Sequence, residues 1–297
     1  MPGRYVLLED RGILTVGGVD RAEFLQGLIS NDITRVADDR AIWAAYLTAQ
    51  GKYLHDFFVV SLNGGFGLDC ESARLMDLGQ RLSKHKLRAK IDLGIGESYV
   101  VAVLFGEGAL TELDLPATAG AARNWGGGIV YVDPRLAQAG ARAVLPRETA
   151  ASALEALGFT AGPPEEYDLM RLEQGLSDGS RDLVVEKSIL LESNFDELHG
   201  VDWEKGCYMG QELTARTKYR GLVKRRLVPV RIEGPVPVAG TPIRAGARDV
   251  GEMRSSRDGR GLAQLRLEVL SAAPADADAL TCGDARVVPV IPDWMQF

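Results

Sequence analysis

The chain has 297 residues, 46% of them hydrophobic and 25% charged, with a net charge of −7. That length supports two or three closely packed units with a sizeable core, and the acidic balance argues against general coating of nucleic acid. Tyr99 to Phe105 is typical of the longest apolar runs and is far too short to span a bilayer. The opening Met1-Pro-Gly-Arg-Tyr5 has no basic segment leading into an apolar stretch, so the expected location is the cytoplasm. Cys70, Cys207 and Cys282 are odd in number and widely spaced, which predicts reduced thiols rather than a disulfide framework. His55, His85 and His199 lack zinc-ligand spacing, so no metal site is expected.

Gly12 to Val16 predicts a strand. Asp20-Arg-Ala-Glu23 has the form of a capping box opening a helix with Phe24, Leu25 and Leu28 on one face, ending near Ser30-Asn31-Asp32. Ile42 to Leu47 and Phe57 to Leu62 follow as strands, and Asn63-Gly64 marks a hairpin turn. From Ser72 to Ile91, Leu75, Leu78, Leu82 and Leu87 recur at helical spacing, with Lys84-His85-Lys86 on the wet face. Tyr99 to Phe105 and Ile129 to Val132 are strand-like, and Glu148 to Leu157 predicts a helix stopped by Gly158. Pro163-Pro164 opens another helix that Gly175 closes, which puts Arg171 and Glu173 in its last turn. After Leu227, short apolar stretches broken by Pro and Gly predict a small all-β unit, with Ala272 to Ala279 as a solvated loop. The class is α+β, with a body over 1–226 and a β-rich domain over 227–297.

The densest chemistry lies in Lys205-Gly-Cys-Tyr-Met-Gly-Gln-Glu212. Gly206 and Gly210 permit a sharp turn or close approach to a ligand, and Gln211 to Tyr219 continues as a helix. A thiol ahead of a helix N-terminus and beside Lys205 sits in a positive field favouring the thiolate, which makes Cys207 a candidate reactive group. The alternative is a buried Cys acting as a small hydrophobe. From Thr214 to Arg226 the chain carries six cations, Arg216, Lys218, Arg220, Lys224, Arg225 and Arg226, and no carboxylate. That run is either a solvated face or an anion-binding strip.

The Lys205 to Glu212 segment, with Arg216 and Gly221 behind it, resembles the signature of the folate-binding YgfZ family. Relatives of that family include mitochondrial iron–sulfur maturation proteins, and its architecture is shared with the glycine-cleavage T-protein (aminomethyltransferase). The likeness extends to Leu25-Gln-Gly-Leu-Ile-Ser-Asn-Asp32 and to Tyr167-Asp-Leu-Met-Arg-Leu-Glu-Gln-Gly175. It implies two mixed α/β subdomains and a small C-terminal β-barrel around a central folate channel. It further implies tetrahydrofolate, or a one-carbon derivative, as cofactor.

By the resemblance Glu173 holds the pterin, whose amino group and ring N–H a carboxylate can accept as a forked pair. Without it, Glu173 is a solvent-facing partner of Arg171. Arg171, Glu192, Asn31, Lys205, Tyr208, Gln211, Glu212 and Arg216 complete the implied cofactor-binding set. Glu192 falls where T-proteins have a Pro-x-Glu stretch, although Leu190 replaces the proline. Gly51-Lys-Tyr-Leu-His-Asp56 aligns with a T-protein run ending in two acids, one of them catalytic. Here one acid is His55, leaving Asp56 as the catalytic carboxylate; alternatively His55 is a strand residue facing water.

Function follows as an expectation: a tetrahydrofolate-binding accessory protein supporting assembly or repair of iron–sulfur clusters in client enzymes, including those that modify tRNA. Cys207 would make a redox or transient cluster contact. The alternative is a folate-dependent aminomethyl- or methyltransferase. The expected partners are folate and iron–sulfur client or assembly proteins, with no membrane. The strip Lys218, Arg220, Lys224, Arg225 and Arg226 would meet a polyglutamate tail or RNA.

Overall fold

In the computed structural model, residues 3–271 and 279–296 are described; the loop expected from Ala272 falls mostly outside them, at 272–278. They form two compact units. One comprises Met1–Leu47, Leu54–Tyr167 and Leu198–Met209, the other Thr48–Tyr53, Asp168–Glu197 and Gly210–Phe297. Among the described residues no helix is long and apolar enough to cross a membrane.

The first unit contains two sheets. Six strands run in the order Thr160–Ala161, Arg4–Leu8, Tyr99–Phe105, Ala141–Pro146, Gly128–Val132 and Ala122–Trp125. All neighbours are antiparallel except the first pair. Val100, Ala102, Leu104, Ala143 and Leu145 alternate onto one face and pack with Leu113, Leu154 and Phe159, the period-2 pattern of a half-covered sheet. The second sheet has the order Ile42–Leu47, Tyr53–Leu62, Gly65–Glu71, Arg11–Gly17 and Asp92–Ile95. Tyr53–Leu62 is buried at all but one position, so it is covered on both faces and encloses the polar pair His55 and Asp56.

A buried ionic seam joins these sheets. Asp69 accepts from Arg11 Nε at 2.7 Å and, from the other sheet, from Arg142 Nη2 at 2.7 Å. Arg142 and Arg135 lie over the Phe58 ring, 4.0 and 4.9 Å from its centroid, and Arg135 is paired with Asp133 at 2.8 Å. The two guanidinium groups hold Asp69 ionised, well below the usual carboxylate range, despite its full burial.

In the second unit six strands close into an antiparallel barrel: Arg225–Glu233, Arg260–Arg266, Arg248–Arg257, Pro242–Ala245, Leu280–Cys282 and Ala285–Pro289. Val228, Val230, Ile243, Val250, Met253, Ala263 and Leu265 fill it. Closure removes the exposed strand edges that short β-segments otherwise present.

Two helical expectations change. Asp20 does not cap the helix Arg21–Gln26; its carboxylate accepts the Lys90 N–H at 2.6 Å instead. The helix expected over 72–91 is a short 3-10 turn, Ser72–Arg74, followed by Leu75–Ser83. Leu87 lies beyond the helix end with φ of 40° and is 90% exposed, so its apparent helical spacing is coincidental.

Because Asp69 compensates two buried guanidinium groups, Asp69→Asn is expected to lower the unfolding free energy by about 3–5 kcal/mol. Urea denaturation measures this, and a loss under about 1 kcal/mol would show the seam to be dispensable.

Candidate functional site

The segment singled out by sequence is fastened from within the first unit. Lys205 is buried, and its ammonium donates to the carbonyls of Gln26 (2.9 Å), Ile29 (2.7 Å) and Asn31 (2.8 Å). These oxygens lie at and just beyond the end of the helix Arg21–Gln26, where carbonyls lack helical partners and the helix dipole favours a cation. Burial pulls Lys205 down to about 8, with Asp32 and Asp202 opposing. All three ammonium hydrogens are therefore engaged with backbone, whereas the resemblance placed Lys205 at a ligand. Its charge also lies 5.2 Å from the centroid of the buried Tyr208 ring.

Sequence reading missed the second fastener. Asp202 Oδ1 accepts the N–H groups of Glu204 and Lys205, both at 2.8 Å, and Arg35 Nη2 lies 2.6 Å from Asp202 Oδ2. An Asp followed closely by a Gly-Cys turn is the available signal, since Asp carboxylates accept backbone donors two and three residues on. Further along, Met209 N–H donates to Gly27 O at 3.1 Å. Cys207 thus rides on a turn held on both sides, and it is exposed while Cys70 and Cys282 are buried. The boundary between the units falls between Met209 and Gly210.

Asn31 is buried, with its amide donating to Trp43 O and His199 O, each at 2.7 Å, and its Oδ1 accepting Asp32 N–H at 2.8 Å. Adjacent strand residues point to opposite faces, so His55 and Asp56 separate. Asp56 accepts Trp43 Nε1 at 3.0 Å, and His55 Nε2 meets Asp77 Oδ2 at 2.8 Å. The reading of His55 as a water-facing strand residue is corrected: it is 2% exposed. Burial, aided by Arg74, pushes its pKa down to about 4, so it is neutral at pH 7.

In the second unit, Gly210 (φ 81°) opens the helix Gln211–Tyr219. Gly51 lies against it so closely that a Cβ there would stand 2.7 Å from Gly210 O and from Leu213 Cβ, in a backbone conformation (φ 73°) that only glycine adopts freely. On the helix, Gln211 is half-buried, and Glu212 and Arg216 are exposed.

Arg171 is 1% exposed and donates to Asp168 at 2.7 Å, Asp182 at 2.8 Å and Leu176 O at 3.2 Å. Asp168 also receives Arg181 and Arg257, and Ser255 donates to Asp182. Two positions on, Glu173 is exposed and accepts Arg260 Nε at 3.1 Å, so its partner is Arg260, not Arg171. Glu192 is half-buried on the short turn Leu190–Ser193 and lines a cleft of about 430 Å³ with Lys187, Ser188, Arg225, Gln264 and the ion pair Glu252–Arg254.

The cationic strip divides. Lys218, Arg220 and Lys224 are exposed and Arg225 is half-buried. Arg226 is corrected from an external anion contact to an internal one: it is 6% exposed and donates to Glu197 at 2.6 and 2.9 Å and to Leu191 O at 2.6 Å.

This architecture, two sheets with flanking helices and a closed barrel, is the aminomethyltransferase fold. The glycine cleavage system aminomethyltransferase T from Bartonella henselae superposes with a TM-score of 0.78 over 98% of this chain and 86% of its own, at 15% identity, a likeness of fold alone. Residues 224–297 match the CAF17 C-terminal beta-barrel domain. Across nearly the whole length, the chain is 33% identical to the mitochondrial iron-sulfur cluster assembly factor IBA57 of Mus musculus, covering 97% of this chain and 84% of that protein. The Homo sapiens counterpart gives the same identity and coverage. The chain belongs to the IBA57 family. These relatives are mitochondrial by name, and the homologue in Coccidioides immitis likewise. They overturn the cytoplasmic expectation.

The His55 shift predicts a pH response. Between pH 6.5 and 4 the unfolded chain binds a proton that the folded chain does not, so stability rises with pH across that window and falls on acidification. Wild type should lose about 2 kcal/mol between pH 7 and pH 5 that His55→Gln does not lose, as read by urea melts at both pH values. Parallel losses in the two proteins would remove His55 from the account.

Proposed function

We propose that this chain is an iron–sulfur cluster assembly factor whose Cys207 thiolate contacts a cluster held jointly with a partner protein. The observation that carries this reading is the contrast among the three thiols: Cys207 is exposed on a fastened turn, while Cys70 and Cys282 are buried. Burial raises the Cys70 thiol to about 12 and pushes Cys282 up as well, so neither offers a thiolate at neutral pH. A cluster ordinarily takes four thiolates, so the remaining ligands come from a client or assembly protein. The clients proposed include enzymes that modify tRNA.

We further propose that the chain binds tetrahydrofolate, which when bound supplies a carrier of one-carbon units. Its pterin needs a carboxylate that accepts two adjacent N–H groups, and its tail needs cations. Glu192 fits the first requirement, being half-buried in a cleft, and Lys187 and Arg225 in the same lining fit the second. Glu173 offers the same group at the surface, already paired with Arg260. Exposed Lys224 extends the cationic surface available to a polyglutamate tail. Aminomethyl or methyl transfer is the weaker reading, because one acid of the expected pair is replaced by the buried, neutral His55.

In cells carrying Cys207→Ala, activities of iron–sulfur enzymes should fall several-fold while the variant accumulates normally. Wild-type enzyme activities in such cells would sink the thiol assignment. For the folate reading, Glu192→Gln should weaken tetrahydrofolate binding about tenfold in titration calorimetry, with Glu173→Gln changing it less than about twofold. Loss in Glu173→Gln alone would move the pterin contact to Glu173, and absence of binding to wild type would end the folate reading.

A further inference from the structure

Within the first unit, a cleft of about 240 Å³ is lined by Asn31, Arg35, Arg40, Ala41, Ile42, Trp43, Thr118, Ala119, Pro134, His199 and Val201. Its walls combine apolar surface from Ile42, Pro134 and Val201 with two guanidinium groups, one hydroxyl and one imidazole, and no carboxylate belongs to the lining. Arg35 is paired with Asp202 at 2.6 Å, so the cation left uncompensated in the lining is Arg40.

Three features show the cleft to be prepared. Among the described residues, no hydrogen bond or ion pair engages the Arg40 guanidinium. The Arg40 backbone is nevertheless fixed, exchanging hydrogen bonds with Ala37 at 3.0 and 3.1 Å and bridging to Ala121. His199 holds a φ of 59°, which an ordinary side chain adopts at a cost, and the Asn31 amide keeps it there by binding its carbonyl. Arg35, 47% exposed at its side chain, is steadied at one end of its fork by Asp202.

We propose that this cleft binds a small anion, a phosphate or a carboxylate group carried on a compact body. The Arg40 fork engages the anion bidentately, Arg35 adds charge beyond its pairing with Asp202, and Ile42, Pro134 and Val201 receive the body. Volume sets the size of the ligand. At ~30 Å³ per water the space equals about eight waters, enough for a phosphate or a carboxylate with a few attached carbons and too little for a peptide or nucleic-acid strand. Arg35 and Arg40 belong to neither the cluster reading nor the Glu192 cleft of the folate reading, and Asn31, which this lining shares with the implied folate set, has its side chain engaged by Trp43 O, His199 O and the Asp32 N–H, so failure here leaves both readings standing.

The test is a titration of the full-length protein with inorganic phosphate and, separately, sodium glutamate, at ionic strength matched with sodium chloride, following amide resonances of Thr118, Ala119, His199 and Val201. Saturable shifts with a Kd near or below ~1 mM are expected for at least one anion, with Arg40→Gln raising that Kd at least about tenfold. Saturation by phosphate alone assigns a phosphate ligand, and by glutamate alone a carboxylate. Among the described residues the Arg40 side chain has no hydrogen bond or ion pair to lose, so an unchanged unfolding midpoint verifies that the variant is folded. Shifts that grow linearly with both anions, or an Arg40→Gln effect below about tenfold, overturn the proposal.

Discussion

The site depends on one ammonium group. Lys205 gathers three carbonyls from the end of the helix Arg21–Gln26 and the loop beyond it, groups that an isolated helix would leave to water. That single side chain does two things at once: it terminates a short helix and it fixes the start of the turn presenting Cys207. Asp202 and the Met209 amide complete the restraint. An exposed thiol on a loose loop would reach a partner in many geometries, whereas this one is offered in few.

Elsewhere the same problem, charge placed where water is excluded, is solved by pairing. Asp69 sits between Arg11 and Arg142, and Arg171 between Asp168 and Asp182. Such groups add little net stability over an apolar core, yet removal of one member strands the others. They fix which strands and helices face each other within each unit. Arg226 belongs with them, which is why a run that looks like a binding strip in the sequence is only partly available to one.

Local pattern made much of this readable in advance. Ile42–Leu47, Tyr99–Phe105 and Gln211–Tyr219 have the bounds expected from the sequence, and the β-rich stretch after Leu227 closes into a barrel. What failed depended on distant partners. Asp20 turned from helix capping to the Lys90 amide 70 residues away, and the leucine spacing beyond Ser83 broke at a left-handed Leu87. Within the site, Cys207 was legible because glycines and a lysine crowd around it. The roles of Lys205, Arg171 and Arg226 were not, since each is decided by acceptors, some of them 174 to 179 residues away for Lys205, that composition does not reveal.

The interleaving of the two units has a consequence for biosynthesis. The chain leaves the first unit at Leu47, returns at Leu54, leaves again at Tyr167 and comes back for Leu198–Met209. A ribosome has therefore delivered most of the first unit's two sheets long before the last segment that completes it emerges. At about 5–20 residues per second the wait between Gln26 and Lys205 is on the order of ten to forty seconds, a period in which the end of the first helix has no clamp. The Cys207 turn is among the last parts of that unit to be made, so a nascent chain does not present its thiol in the restrained geometry until the surrounding sheets have formed.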